Sequence, residues 1–373
     1  MQLVRELALR DFRNYENARL VLDRPGLHIV WGRNGEGKTS LLEALFYAAF
    51  LRSFRTACSS ELVRFGAETF NIAVTMGGGD SERGDCRVSV RGGNQTLLRK
   101  NGAAYRRASE FINSYLCVAL IPEDIRLVCG GPSRRRQFCD MVLAQTDGNY
   151  LSNLMAYRRA LRSRNALFSA TGDPDPAAAR AFAQLLGRHG AVIIQARETL
   201  CERLNTVLTG VLAPFVGTGP QPVSLHYRPS VAASGGSRGT VAAELTDRIE
   251  RGWERDRRER CTTSGPHRDD VEVRFGDKPA AKFASQGEQR ISGLLLKLAS
   301  FHLATECAGD GRAVLLLVDD VLGDLDQQRR QTLANGFAKA AQVVMVQTEK
   351  PNAEEWGAGV AGVTHVANGV LNP

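Results

Sequence analysis

The chain has 373 residues, is 43% hydrophobic and 24% charged, and carries a formal net charge of +8. That length allows two domains and a sizeable core, and the composition excludes a disordered or fibrous chain. The basic balance favours a polyanionic partner, most simply nucleic acid, although many soluble proteins are modestly basic. The longest apolar run near the C-terminus, "AVLLLV", is too short to span a bilayer. The start, "MQLVRELALRDFRNY", is studded with charges and lacks an apolar signal core. No two of the eight cysteines lie within four positions of each other, so no C-x-x-C zinc or redox pattern is present. A disulfide framework does not suit cysteines this scattered in a chain this long. The expectation is a reduced, cytoplasmic protein without a membrane partner.

The first informative segment is "GLHIVWGRNGEGKTSLLEALF". It predicts a buried strand over Leu27–Trp31, a tight loop, and a helix with Leu41, Leu42, Leu45 and Phe46 on its apolar face. The loop, Gly32-Arg33-Asn34-Gly35-Glu36-Gly37-Lys38-Thr39, matches G-x-x-x-x-G-K-[ST]. Its glycines let backbone N–H groups wrap phosphates. Lys38 places a cation on the β and γ phosphates, Thr39 offers a hydroxyl to Mg²⁺, and Ser40 follows in the helix N-terminus, which adds its dipole.

After Pro122 the character changes. "PSRRRQFCDMVLAQTDGNYLSNLMAYRRALRSRNALF" reads as helix, short break, helix, and "ATGDPDP" is a polar break. A long helical stretch follows, with Leu185, Val192, Ile193 and Leu200 at helical spacing and Gly187 and Gly190 as weak points. Then come a strand-like "PVSLHYRPSV", a flexible "ASGGSRG" and a charged helix, "DRIERGWERDRRER", laced with i,i+4 pairs. The segment has no long coiled-coil arm. Arg134, Arg135, Arg136, Arg158, Arg159, Arg162 and Arg164 are candidates for tracking phosphates, with a solvated helical face as the bland alternative.

"KFASQGEQRISGLLLKLA", Lys282–Ala299, starts as a loop and becomes a helix. Ser285-Gln286-Gly287-Glu288 fits the capping box. The N–H groups near Gln286 and Gly287, beside the Ser285 hydroxyl, make a receptor for a γ-phosphate. Ile291, Leu294, Leu295 and Leu298 give the helix its apolar face. One phosphate site already serves the chain, so a second makes sense if it serves the nucleotide of another copy, in a symmetric pair that sandwiches two ATP molecules.

"AVLLLVDDVLGDLDQQRR" predicts a central parallel strand over Ala313–Val318, with Asp319 at its C-terminal end. Asp319 is assigned to Mg²⁺ through water, and Asp320 to orienting or deprotonating the attacking water. Glutamate is more usual there; the shorter Asp320 suits a slow ATPase acting as a timer. Lys38 and Asp319 are 281 residues apart (319 − 38), so something is inserted between the two halves of the nucleotide domain.

The order of phosphate loop, Ser285 helix start, acidic strand and "GDLD" at Gly323–Asp326 resembles the heads of ABC-type ATPases, in which "GDLD" resembles the D-loop. "FRNYENARLVL" at Phe12–Leu22, "RSFRTACSSELVRFG" at Arg52–Gly66 and "PEDIRLVCGGPSRRRQFCD" at Pro122–Asp140 resemble segments of the RecF family. So do "TTSGPHRDD" at Thr262–Asp270 and "SQGEQR" at Ser285–Arg290, over nearly the whole chain.

This resemblance implies an α/β fold, an ABC-type P-loop ATPase head with a mixed sheet and flanking helices, and an inserted, mostly helical second lobe. It implies head segments at 1–124 and 261–373 and the lobe at 125–260. It further implies ATP with Mg²⁺, an ATP-dependent homodimer and DNA binding at gaps and stalled forks. RecO and RecR would be partners in loading the strand-exchange protein, with a link to the SOS response. On the matching positions, residues 32–40 bind ATP, Lys38, Asp319 and Asp320 act in hydrolysis, Thr39 and Asp319 hold the metal, and Ser285, Gln286 and Gly287 act in trans. Arg52 and Arg55 match a basic loop near nucleotide or DNA.

Two departures weaken hydrolysis: no glutamine lies around Ile121–Arg126, and "VVMVQTEKPN" offers Gln347 and Thr348 where a switch histidine is usual. His267 is expected to order a turn. The competing readings are an ATPase subunit of a nuclease complex, which calls for a long heptad arm and a hook cysteine pair, a transporter ATPase, and an ATP-bound scaffold without turnover.

Overall fold

Leu7 and Leu9, like Phe70, Ile72 and Val74, occupy alternate positions, and all are buried. This period of two sets the pleat of the first sheet. The computed structural model describes residues 2–77, 84–91, 95–105, 111–112, 114–169, 174–210, 223–232, 237–309, 311–321, 342–351 and 359–372. The chain runs through β1 (Leu3–Phe12), β2 (Tyr15–Val21), β3 (Gly26–Trp31) and α1 (Lys38–Phe50), then β4 (Thr69–Gly77), β5 (Gly84–Arg91), β6 (Gln95–Lys100), β7 (Ala103–Tyr105) and β8 (Leu116–Leu120). Next are α2 (Ile125–Cys129), α3 (Pro132–Thr146), α4 (Gly148–Ser169), α5 (Pro176–Gly210), β9 (Val223–Arg228), α6 (Arg238–Arg251) and α7 (Trp253–Glu259). β10 (Asp270–Phe275), β11 (Lys278–Pro279), α8 (Ala280–Phe283) and α9 (Gln286–Ala308) precede β12 (Val314–Asp319), β13 (Gln342–Gln347), β14 (Val360–Ala367) and β15 (Val370–Asn372).

Contacts divide the chain into two units. The first, Met1–Glu123 with Ser300–Pro373, holds two six-stranded sheets. One is antiparallel, in the order β2-β1-β4-β5-β6-β7. The other runs β15-β14-β3-β13-β12-β8, parallel from β14 through β8 with β15 antiparallel at the edge. Gln342, fully buried at the start of β13, ties the sheets together. Its amide accepts from Val4 N at 2.9 Å and donates to Val4 O at 2.7 Å and Leu22 O at 2.6 Å. A buried amide with both ends paired fixes the registry of the two sheets without leaving an unsatisfied group.

The apolar run before Asp319 forms β12 between two parallel neighbours, β13 and β8, and Asp319 is its last residue. Parallel strands bring their carboxyl ends to one edge. Trp31 lies opposite Gln347, and Val346 opposite Asp319, so β13 alone separates the two strand ends.

The second unit, Asp124–Ala299, holds α2–α8, the first part of α9 and a small antiparallel sheet in the order β11-β10-β9. β10 belongs to this unit by pairing with β9 along its length. Arg135 of α3 also grips Asp270 with two hydrogen bonds, at 2.8 and 2.9 Å.

α5 is one continuous helix of 35 residues, so Gly187 and Gly190 are not breaks. A Cβ on Gly187 would meet Thr246 Oγ1 at 2.0 Å and Ala242 O at 2.7 Å; one on Gly190 would meet Leu245 Cδ2 at 2.5 Å. The two glycines are the seam that lets α6 approach α5. Leu186 is buried there, whereas Leu185 is 42% exposed. The charged stretch after it is two helices parted at Gly252. Its i,i+4 pairs form as read, Asp247–Arg251 at 3.0 Å and Arg255–Glu259 at 2.9 Å.

Candidate functional site: the phosphate loop and its walls

Two glycines of the loop are required by close approach. A Cβ on Gly32 would sit 2.3 Å from Val366 O, and one on Gly37 2.4 Å from Asn14 Nδ2. Gly37 also has φ +105 and serves as the N-cap of α1, without a side-chain cap. The first N–H groups of the helix therefore have no side chain competing with an anion. Ser40 is buried, and its N–H donates back to Gly37 O at 2.9 Å.

Lys38 is 8% exposed, and its Nζ donates to Gly32 O at 2.6 Å and Arg33 O at 2.9 Å. Burial lowers its pKa, while Asp320, Asp319 and Glu36 pull in the opposite direction. An ammonium has three donors, so this geometry curls the lysine over the loop and leaves one donor for a ligand. Glu36 anchors the loop from outside: Asn14 Nδ2 donates to its carbonyl at 3.0 Å, and Asn368 N–H donates to its carboxylate. Thr348 reaches Asn34 at 3.4 Å.

Thr39 Oγ1 donates to Asp319 Oδ1 at 2.9 Å. Asp319 is 8% exposed; burial raises its pKa against the hydrogen bond from Thr39, and Asp320 and Glu123 push it further up. Asp320 has φ +47, a left-handed turn that ends β12 and keeps its carboxylate on the same cleft. A hydroxyl and a poorly solvated carboxylate side by side are hard oxygen ligands, and they fit Mg²⁺.

The cleft over these groups measures about 790 Å³, within the usual range for a ligand site. Asn34, Gly35 and Gly37–Ser40 line it with Asp319 and Asp320, whereas Gly32, Arg33 and Glu36 do not. Its remaining wall includes Arg13, Asn14, Glu61, Val63, Arg64 and Phe65. Sequence reading did not single out these residues for the site, because it is a pairing between distant segments that brings them in. Phe12 bridges Val63, Arg13 N donates to Leu62 O at 2.7 Å, and Arg64 N donates to Asp11 O at 2.8 Å. Arg13 is also pinned by buried Glu43, at 2.7 and 2.8 Å. Arg55 lines the cleft as well, 3.7 Å from the same carboxylate. Glu123 lies in the Ile121–Arg126 stretch that has no glutamine, and its charge is felt by Asp319.

In the second unit, the capping box at Ser285 is formed. Glu288 Oε2 accepts from Ser285 N at 2.7 Å and from its Oγ at 2.8 Å, and Glu288 N reaches Ser285 Oγ at 3.3 Å. Ser285, Gln286 and Gly287 are exposed. "GDLD", Gly323–Asp326, lies outside the described residues.

The segment "TTSGPHRDD" is a structural knot. His267 Nδ1 pairs with Tyr157 OH at 2.6 Å and Nε2 with Thr262 O at 2.9 Å, and burial pushes its pKa down to about 4. Arg197 donates to Pro266 O at 2.7 Å, and Arg136 to Asp269 O at 2.6 Å. His267 thus orders a turn and is neutral at pH 7.

The arginines read as phosphate trackers divide. Arg164 is 1% exposed, bonded to buried Asp256 at 2.6 Å, and Arg135 is spent on Asp270. These two are internal cations, held because an unpaired buried charge is costly. Arg134, Arg158, Arg159 and Arg162 stay exposed.

The RecF/RecN/SMC N terminal domain model matches residues 3–372. "DNA replication and repair protein RecF" of Anaeromyxobacter sp. is 35% identical over 375 residues, covering 98% of each chain. The RecF of Acidothermus cellulolyticus is 34% identical over 349 residues, 91% of this chain and 92% of its own.

The chain belongs to the RecF family.

Two solved structures of the recombination mediator protein RecF in the RecFOR pathway, RecF–ATP and RecF–ATPrS, match the whole chain. Their TM-scores are 0.90 and 0.88 at 25% and 26% identity, covering 97% and 98% of those chains. The RecF fold here is accordingly the ABC-type ATPase head with a second, mostly helical lobe. An SMC head from Pyrococcus furiosus, at TM-score 0.56 and 14% identity, shares the fold alone. Among the described residues of this RecF family member, no helix is long and apolar enough to cross a membrane.

Proposed function

We propose that the chain is an ATP-dependent DNA-binding protein of replication and recombinational repair, in which ATP drives a homodimer that works as a switch with slow hydrolysis. The observation that carries this reading is the convergence of Lys38, Thr39 and Asp319 in one open cleft at the carboxyl edge of a parallel sheet. Relatives solved with ATP support ATP as the nucleotide.

Residues 32–40 would hold the phosphates, with backbone N–H groups and the remaining Lys38 donor as the contacts. Thr39 and Asp319 would hold Mg²⁺, which when bound offsets the charge that develops on the phosphoryl group. Asp320 would orient or deprotonate the attacking water. Ser285, Gln286 and Gly287 would receive the γ-phosphate of the partner copy. On this reading the functional head is 1–124 with 261–373, and 125–260 is its inserted lobe.

Charge distribution supports a polyanionic partner. Residues 124–299 carry 26 basic and 18 acidic side chains, and the rest of the chain 22 of each, so the whole net charge of +8 lies in the second unit. We read the partner as DNA at gaps and stalled forks, recognised through backbone and shape. RecO and RecR would act beside it in loading the strand-exchange protein, in the cytoplasm and within the SOS response.

The test is titration with a fluorescent ATP analogue and with gapped DNA. Lys38→Ala is expected to lose about ten- to a hundredfold in ATP affinity, the contribution of a charge-assisted hydrogen bond or two. ATP-dependent retention of gapped DNA should fall steeply between about 50 and 200 mM salt. ATP binding unchanged in Lys38→Ala would overturn the reading.

A further inference from the structure

We propose that two exposed rings, Phe65 of one copy and Phe283 of the other, meet across the ATP-dependent pair and join the copies by an aromatic contact at each cleft. This rests on the paired-copy reading above and deepens it by naming side chains that hold the pair together.

Phe65 and Phe283 are the two aromatic rings among the large hydrophobic side chains that the described residues leave exposed, at 99% and 63%. A ring left in water forgoes the favourable burial that its size offers. Each lies where the paired-copy reading needs a contact. Phe65 lines the cleft that holds Lys38, Thr39 and Asp319. Phe283 lies two residues before Ser285, whose exposed helix start receives the partner's γ-phosphate on that reading. Docking one on the other brings the rings to one junction, and a symmetric pair makes that junction twice.

Both rings are carried on pinned backbone. Arg64 N donates to Asp11 O at 2.8 Å, and Ala67 N to Arg64 O at 2.9 Å, which holds the turn that carries Phe65. Gln289 Nε2 donates to Ala284 O at 3.0 Å and to Ala280 O at 3.4 Å, and Ala280 is fully buried, which holds the strap that carries Phe283. Little order therefore has to be gained on contact. Lys278 Nζ lies 5.5 Å from the centroid of the Phe283 ring and covers one side of it; the rest of the ring stays open.

Arg13, Arg55 and Arg64 stand on the same cleft wall, but each faces a carboxylate of its own chain, Glu43 for the first two and Asp11 for the third. Phe65 is the group of that wall left almost wholly to water. Charge makes the contact depend on ATP. The cleft is lined by four cations, Arg13, Lys38, Arg55 and Arg64, against three carboxylates, Glu61, Asp319 and Asp320. The strap and helix start carry Lys278, Lys282 and Arg290 against Asp277 and Glu288. Both surfaces thus have a formal excess of positive charge and repel. A triphosphate with its Mg²⁺ reverses the sign on the cleft, and the two then attract.

The experiment is sedimentation of the full chain with ATP for wild type, Phe65→Ala, Phe283→Ala, the double variant, and an equimolar mixture of the two single variants. Both rings are solvent-exposed, so the variants should fold. A homodimer of either single variant has lost the ring pair at both clefts. A mixed dimer keeps it at one, where the unmutated Phe65 of one copy meets the unmutated Phe283 of the other. The proposal predicts a dimer dissociation constant about tenfold higher for each single variant and little further loss in the double variant. The mixture should associate more tightly than either variant alone, and Phe283→Ala diluted to monomer should bind ATP as wild type does. Wild-type association in either single variant overturns the ring contact alone. So does a mixture no tighter than its components, which would give each ring a separate partner. Weaker ATP binding by the Phe283→Ala monomer overturns it too, because the ring would then act within its own chain. A wild type that stays monomeric with ATP overturns the paired-copy reading and this one with it.

Discussion

Thr39 Oγ1 and Asp319 Oδ1 are 2.9 Å apart across 280 residues of sequence. That hydrogen bond joins the helix after the phosphate loop to the end of β12, and it spans the segment that folds as the second unit.

Asp319 makes a stability prediction with a definite sign. Burial raises its pKa above the ordinary carboxylate value, so its contribution to stability is full below the unfolded pKa and is lost as pH rises through the folded one. At neutral pH the charge is a penalty kept for function. Asp319→Asn keeps an acceptor for Thr39 and removes the charge. It should melt above wild type at pH 7.5, with the gap closing as pH is lowered through the carboxylate range, and it should lose Mg²⁺-dependent turnover. Calorimetry showing equal or lower melting at pH 7.5 would contradict the account.

His267 predicts the opposite slope. Its pKa is lowered from 6.5 to about 4, chiefly by burial. Its contribution is fully present above the unfolded value and is lost as pH falls from 6.5 toward 4. The shift corresponds to at most about 3 kcal/mol. Urea midpoints taken from pH 7.5 to 4.5 should fall more steeply for wild type than for His267→Gln. Parallel curves would remove His267 from the pH dependence.

Gly187 sets helix propensity against packing. Alanine would gain about 1 kcal/mol in an exposed helix. Here its Cβ meets Thr246 Oγ1 at 2.0 Å and the Ala242 carbonyl at 2.7 Å, and a backbone atom cannot rotate away. Overpacking at about 1–3 kcal/mol decides the sign. Gly187→Ala should lower the urea midpoint, whereas a raised midpoint would mean that α5 and α6 part readily.

How much of this was legible follows from how local each signal is. The strand, loop and helix of 27–50 were readable because the phosphate-loop pattern dictates them over a few residues, and the capping box at Ser285 likewise. β12 was readable from six apolar residues that suit a strand buried on both faces. The wall of the cleft was not, since Arg13 and Phe65 are brought in by one bridge between Phe12 and Val63. Nor was Gly187, whose role is visible only with Thr246 beside it. The buried arginines misled for the same reason: Arg164 and Arg162 look alike in sequence, and only the fold places Asp256 against one of them.

The central claim is an ATP-driven pair of chains joined through the Ser285 helix start. It is tested most directly by sedimentation with and without ATP and gapped DNA, for wild type and Ser285→Arg. Ser285 is exposed, so the variant should fold. The account predicts a dimer in wild type with ATP and a monomer in Ser285→Arg under the same conditions. A wild type that stays monomeric with both ligands would contradict it, and would reduce Ser285 to the cap of α9.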